Sequence, residues 1–343
     1  MAGETPFSPS PDKPVVAVAG GTGDLGTRLT ETFLSAELRD RLSGFVLLAR
    51  RYTARMERWR DSLGAEVRII DDDDEGDGVT GCDENDLIMA LDGVDVLVNA
   101  ISSSGARLRD KIARALPQTR VKLYFPSEFG VDHTLHDFRV PEWDGKKAHY
   151  ALTRQVLAPT NIQVCRIFNG LFLHSGVGPW YGFHTAKDVY QAVGSLDQHV
   201  SFTEIGDIAR VLCLLAERAM RGGPVPPQLR IAGTNASFRD VARLMTAAGA
   251  GAGAGAGEKK EIELKSVELE AFRNRILNRQ YEDRGPIPCL RFIMGDGRAD
   301  YRTTEEGGLG NDNDLVNPDQ RHFVWKTMRD LAVETKGRPN VNA

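Results

Sequence analysis

Directly after the run Val-Val-Ala-Val-Ala at 15–19 stands Gly20-Gly21-Thr22-Gly23-Asp24-Leu25-Gly26, which fits both GxxGxxG and GxGxxG. Glycines at these spacings permit a tight turn with positive φ, bring backbone amides close to a diphosphate, and let the following helix pack against its strand. The turn therefore predicts dinucleotide binding through Gly20, Thr22, Gly23, Asp24, Leu25 and Gly26. The next apolar run, 45–49, ends in Arg50-Arg51, with no acidic residue at that place. An acidic side chain there would accept hydrogen bonds from a free ribose 2′-hydroxyl, whereas a basic one neutralises a 2′-phosphate, so the expected cofactor is NADP(H). The fourth apolar run closes with Asn99, Ala100, Ile101 and Ser102, small groups suited to line a cofactor crevice.

Such residues work only if a sheet brings strand ends together. Apolar runs at 15–19, 45–48, 67–70, 94–100 and 121–125 alternate with helical patterns at 25–38, 55–63, 87–91 and 106–116. Short, almost wholly apolar strands separated by helices are what a parallel sheet covered on both faces requires. The fold class expected is α/β: a Rossmann-type doubly wound parallel sheet with a smaller C-terminal substrate lobe. Further elements are expected at 147–157 (helix), 162–168 (strand returning to the sheet), 205–218 (helix), 228–231 (strand) and 237–248 (helix, with Ser237 as its cap). The domains expected are a disordered, proline-rich lead-in at 1–14, a nucleotide-binding domain at 15–168, and a lobe at 169–343 that binds mainly substrate. The acidic run 71–77 is expected as a solvated loop and the alternating Gly/Ala tract 249–257 as a flexible insertion or a frayed helix end.

At Pro126-Ser127-Glu128-Phe129-Gly130 the chain resembles the NmrA-like, isoflavone reductase-like branch of the atypical short-chain dehydrogenases. Arg166-Ile-Phe-Asn169-Gly170-Leu-Phe and Thr203-Glu-Ile-Gly-Asp207 support the resemblance, which spans about residues 15–250. It implies a smaller lobe closing over an apolar, often aromatic substrate; Pro126, Ser127 and Asn169 are expected among the cofactor-binding residues, with Ser127 and Glu128 at the strand end near the nicotinamide. It also implies a lysine on the helix after this loop as general acid/base or as an orienter, for which Lys147 is the best match. Alignment back from Asn169 puts His149 in that place, and Lys146 and Tyr150 stand one residue from workable registers. Tyr150 and Arg154 imitate the YxxxK spacing of the wider superfamily, but an arginine does not readily shuttle a proton. Phe129, Gly170, Phe172, Trp180 and Tyr181 are the candidate substrate-binding residues.

The chain carries 43 Lys+Arg against 48 Asp+Glu in 343 residues, a net charge of -5 that leaves no electrostatic footprint for nucleic acid. No apolar run approaches the roughly 18 residues of a membrane helix, and a cytoplasmic monomer or homodimer acting on a small molecule is expected. Cys82, Cys165, Cys213 and Cys289 are far apart, and neither they nor His174 and His184 have metal-site spacing. The function expected is an NADPH-dependent reductase of a small aromatic or secondary-metabolite substrate. The alternatives are an NADP(H)-binding redox-sensing regulator without turnover, or a non-redox isomerase or cyclase on the same fold.

Overall fold

The computed structural model describes residues 7, 10–70, 82–250 and 261–341. The acidic run 71–77 and the Gly/Ala tract beyond Ala250 lie outside these residues. In chain order the elements are β1 (Val15–Ala19), α1 (Asp24–Phe33), α2 (Ala36–Arg39), β2 (Gly44–Ala49), α3 (Ala54–Leu63), β3 (Glu66–Ile69), α4 (Glu84–Ala90), β4 (Val96–Asn99), α5 (Ala106–Ala115), β5 (Leu123–Phe125), α6 (Pro141–Leu157), β6 (Gln163–Val164) and β7 (Arg166–Phe168). There follow β8 (Leu171–Phe172), α7 (Leu173–Gly176), β9 (Phe183–His184), β10 (Val189–Val193), β11 (Val200–Thr203), α8 (Ile205–Met220), β12 (Gln228–Arg230), β13 (Thr234–Ala236), α9 (Phe238–Ala250), β14 (Glu263–Val267), α10 (Leu269–Leu277), α11 (Pro286–Asp296), α12 (Asn313–Val316) and α13 (Met328–Glu334).

Six strands form one parallel sheet in the order β3-β2-β1-β4-β5-β6. This is the doubly wound order, with the reversal between β1 and β4 placing a crevice at their carboxyl ends. Strand alternation divides the apolar residues between the faces. Ala17, Ala19, Val46, Leu48 and Leu97 pack with Leu87 of α4 and Leu91 just after it, Leu108 and Ile112 of α5, and Leu157 of α6. Phe45, on the opposite face of β2, meets Phe33 of α1 with ring centroids 5.8 Å apart.

The chain divides into two compact units, and not by a single cut near 168: one holds Met1–Glu128, Gly145–Arg166 and Ile208–Gln228, the other Phe129–Asp144, Ile167–Asp207 and Leu229–Ala343. The return of 208–228 to the sheet unit has a physical cause. Arg41 makes a two-pronged pair with Glu217 of α8 (2.7 and 2.8 Å), and Arg210 makes another with Glu37 of α2 (2.7 Å for both contacts). Gln163 of β6 accepts from Val225 N (2.6 Å), and Arg166 N donates to Pro227 O (3.0 Å). The single strand expected at 162–168 is broken at Cys165. Its first half joins the six-stranded sheet and its second pairs with β12.

Ser43 Oγ accepts from Ser10 N (3.2 Å) and donates to Lys13 O (2.8 Å), which holds 10–14 at the start of β2. The second unit contains two three-stranded sheets, β14-β10-β9 and β13-β11-β8, and a core built around Phe138, Phe183, Phe202, Phe238 and Phe292. Ser237 caps α9 through Asp240, with Oγ accepting from Asp240 N (3.1 Å) and Asp240 accepting from Ser237 N (3.2 Å). No helix among the described residues is long and apolar enough to cross a membrane.

Candidate active site

The glycine turn sits where β1 feeds α1. Gly20 has φ +79°, and a Cβ there would lie 2.8 Å from Ile101 N and 2.9 Å from the Ala100 carbonyl carbon. A Cβ on Gly26 would come within 2.1 Å of Gly20 O. Both positions are glycine because the protein's own backbone leaves no room. Gly23 is different: its φ is -74°, and the nearest atom to an added Cβ is Gly20 O at 3.6 Å, an ordinary contact. The turn is closed by Gly23 N donating to Gly20 O (3.1 Å). Thr22, Gly23 and Asp24 are exposed, and among the described residues no side chain caps α1. The amides of Asp24, Leu25 and Gly26 are thus first-turn donors with no intrahelical carbonyl, at the positive end of the helix dipole.

Arg50 and Arg51 follow β2 and are both exposed. Arg55, which sequence reasoning missed, adds a third guanidinium: Nη1 donates to Thr27 Oγ1 of α1 at 3.2 Å. The available signal was Thr53 before a helical run, which sets 55 in the first turn of α3. No acidic residue occupies the end of β2, so the donor set suits a phosphorylated ribose.

At the end of β4, Ala100 N donates to Ala19 O (2.8 Å), and Ile101 O accepts from Ser127 Oγ (2.8 Å). The Ser127 hydroxyl thus ties the loop after β5 to the loop after β4. Pro126 is buried and its carbonyl accepts from Glu128 N (2.7 Å). Lys146 Nζ donates to Glu128 O (2.7 Å), pinning α6 to the same loop.

Lys147 and His149 receive different surroundings, since residues two apart on a helix point away from each other. Lys147 is half-buried. His149 is 4% exposed with both ring nitrogens engaged: Nδ1 with Asp110 Oδ1 of α5 (2.7 Å) and Nε2 with the Tyr124 hydroxyl of β5 (2.9 Å). Tyr124 Oη accepts from Asn99 Nδ2 (2.9 Å), and Asn99 Oδ1 accepts from Ile101 N (3.1 Å). Burial holds the His149 imidazole below its usual range against the pull of Asp110, and the nearby Arg109 charge adds to the effect. Burial likewise pushes the Tyr124 hydroxyl far up. His149 is therefore neutral near pH 7, with a buried tyrosine rather than an open crevice beside its Nε2. Tyr150 lies under the Arg166 guanidinium, 4.0 Å from its ring centroid.

In the other unit Asn169 is fully buried; its N donates to Gly130 O (2.9 Å) and its O accepts from Thr203 Oγ1 (2.8 Å). Its side-chain Oδ1 has no donor among the described residues. Gly170 has φ +66°, and a Cβ would strike Ser201 O at 2.2 Å, so glycine is required there by packing. Phe129 takes the left-handed region with φ 24° while buried, a strained setting for a bulky residue. Of the aromatic stretch, Trp180 is 71% exposed, Phe172 and Tyr181 are half-buried, and Phe183 is core, stacked on Phe238 with centroids 4.3 Å apart. Among the described residues no cluster of His, Cys, Asp or Glu side chains has a metal-binding arrangement.

The fold is shared with solved structures of low sequence identity. The complex of AtPrR2 with NADP+ and (+)-pinoresinol matches at 18% identity and TM-score 0.66, covering 94% of this chain and 98% of that one. An isoflavone reductase matches at 17% identity and TM-score 0.66, covering 94% and 99%. The NADPH-dependent quinone oxidoreductase of Escherichia coli, complexed with NADPH, matches at 17% identity and TM-score 0.59, covering 93% and 99%. No curated protein sequence matches the chain. The model of the NmrA-like family matches residues 12–282, most of the chain, around the turn, the β4 and β5 loops and α6. The chain belongs to the NmrA-like family.

Proposed function

We propose that the protein is an NADPH-dependent reductase of a small, largely apolar substrate of aromatic or secondary-metabolite type. The observation that carries this reading is Gly23. Its neighbours Gly20 and Gly26 are demanded by the protein's packing, whereas at Gly23 nothing among the described residues fills the space that a side chain would take. An open cradle of this kind, beside uncapped amides and with Arg50 and Arg51 beyond the next strand, fits a diphosphate and a 2′-phosphate. The solved relatives complexed with NADP+ or NADPH support the same assignment.

The amides of Asp24, Leu25 and Gly26 hold the diphosphate, and Arg50, Arg51 and Arg55 neutralise the 2′-phosphate. The coenzyme, when bound, supplies a hydride. Lys147 holds the proton that the reduced substrate requires, and apolar surface around the substrate orients it and excludes water.

Gly23→Ala tests the central point, because alanine fits that φ and meets no atom of the described residues closer than 3.6 Å. The variant keeps the wild-type Tm, while its Kd for NADPH, read by calorimetry, rises at least about tenfold, or about 1.4 kcal/mol. Unchanged affinity would sink the cofactor assignment. Oxidation of NADPH with panels of aromatic ketones, enones and benzylic ethers, lost in Lys147→Ala, tests the chemistry. Binding without turnover on every substrate would favour a sensor of the coenzyme's redox state instead.

A further inference from the structure

The His149 environment goes beyond the question of which side chain donates a proton. Four side chains from four elements form a single line of hydrogen bonds. It starts at Asp110, 46% exposed on α5, runs through His149 on α6 and Tyr124 on β5, and ends at Asn99 on β4, which receives the Ile101 amide.

The donor and acceptor roles leave one consistent order. Asn99 Oδ1 accepts from a backbone N–H, so its amide nitrogen faces Tyr124 and donates. The phenol oxygen, already an acceptor, turns its O–H to His149 Nε2, and Nδ1–H donates to the Asp110 carboxylate. Reversing any one link leaves two donors or two acceptors facing each other, and buried groups tolerate that badly. The line ends at a sensitive place, because Ile101 N and the Ala100 carbonyl are the atoms that crowd Gly20 of the diphosphate turn.

We propose that Asp110, His149, Tyr124 and Asn99 act together as positioning residues that fix the Ala100–Ile101 backbone against Gly20 and thereby set the shape of the coenzyme cradle. The inference rests on the reading of that cradle given under Proposed function. None of the four touches the reacting atoms. Their effect is carried by one backbone segment, so it falls on coenzyme affinity rather than on the global fold. The chain also accounts for a buried, neutral histidine on the helix that carries Lys147, a role separate from proton donation to substrate.

Two substitutions test the line from its two ends. Tyr124→Phe removes one oxygen and keeps the ring in the core. Asp110→Ala removes the terminal acceptor at a solvent-exposed position, and Asp110→Asn restores an acceptor for Nδ1–H. Expected are a Kd for NADPH about tenfold weaker in Tyr124→Phe and in Asp110→Ala, recovery to within about threefold of wild type in Asp110→Asn, and faster hydrogen exchange of the Ile101 amide in both weakened variants, with the amides of Ala17 and Val98 unchanged. Wild-type affinity in both Tyr124→Phe and Asp110→Ala overturns the inference, whatever their exchange rates, because the network is then structural only. Equal losses in Asp110→Asn and Asp110→Ala also overturn it, since charge and not the line of hydrogen bonds would be acting. If the wild-type protein binds neither NADPH nor NADP+, the cradle reading fails and this inference with it, an outcome distinct from binding that the variants leave unmoved.

Discussion

At the scale of single residues, what the sequence reveals depends on whether a residue's requirement is local. Gly20 and Gly26 answer to atoms a few residues away or on the neighbouring loop, so their spacing alone predicts the turn that they make. Tyr124 and Asp110 answer to partners brought together only by the sheet. In the sequence one is an aromatic in an apolar strand and the other a charge on a helix, and nothing marks them as neighbours of His149. The four cysteines, Cys82, Cys165, Cys213 and Cys289, are all buried. Burial pushes the Cys213 thiol up to about 12 and the Cys289 thiol up to about 11. The folded protein is therefore expected to resist an aromatic disulfide reagent at pH 8, with all four thiols titrating only after denaturant is added. Fast modification of Cys213 in the native protein would contradict that burial.

At the scale of elements, the parallel sheet was readable because four of its strands, β1, β2, β4 and β5, are largely apolar runs buried on both faces. The elements that escaped are of other kinds. β14 (Glu-Leu-Lys-Ser-Val) has mostly exposed or half-buried side chains, and β8 and β9 have two residues each, too short for any period to show. α6 begins at Pro141, well before the expected 147, since proline is tolerated in a first helical turn. α8 was legible as an amphipathic helix but not as part of the sheet unit, because the pairs that hold it there join residues 173 and 176 positions apart. Glu217 is 15% exposed and grips Arg41 with both oxygens. Glu217→Ala is expected to lower unfolding free energy by about 1–2 kcal/mol in urea, more than a typical exposed pair, while coenzyme affinity stays unchanged. A loss within error of zero would show that the pair contributes no more than an exposed one.

At the scale of the whole molecule, stability carries a signature of the buried histidine. The charged and titratable groups set against His149 are Asp110 and Arg109 on α5 and Tyr124 on β5, and their balance with burial leaves its affinity for a proton below the usual 6.5. A group whose folded-state value is depressed stabilises fully above its unfolded value, and that contribution is lost as pH falls below it. Unfolding free energy should therefore decline below about pH 6.5, by up to about 1.4 kcal/mol per unit from this one site. His149→Gln is expected to flatten that segment of the curve; an identical slope in the variant would assign the decline to other groups. The division of the chain has its own consequence for folding. A fragment ending at residue 168 keeps all six strands of the parallel sheet but lacks 208–228, whose contacts with Arg41, Glu37 and Gln163 belong to the same unit. Circular dichroism of that fragment should show no cooperative melt.

The same interleaving bears on how such a protein can be remodelled. The backbone passes from one unit to the other after residues 128, 144, 166, 207 and 228. Neither half is a cassette that one splice could carry to a relative with a different specificity. A chimera that swaps the second half must exchange three separate stretches at once, and this confines practical remodelling of that unit to point changes and short loop grafts.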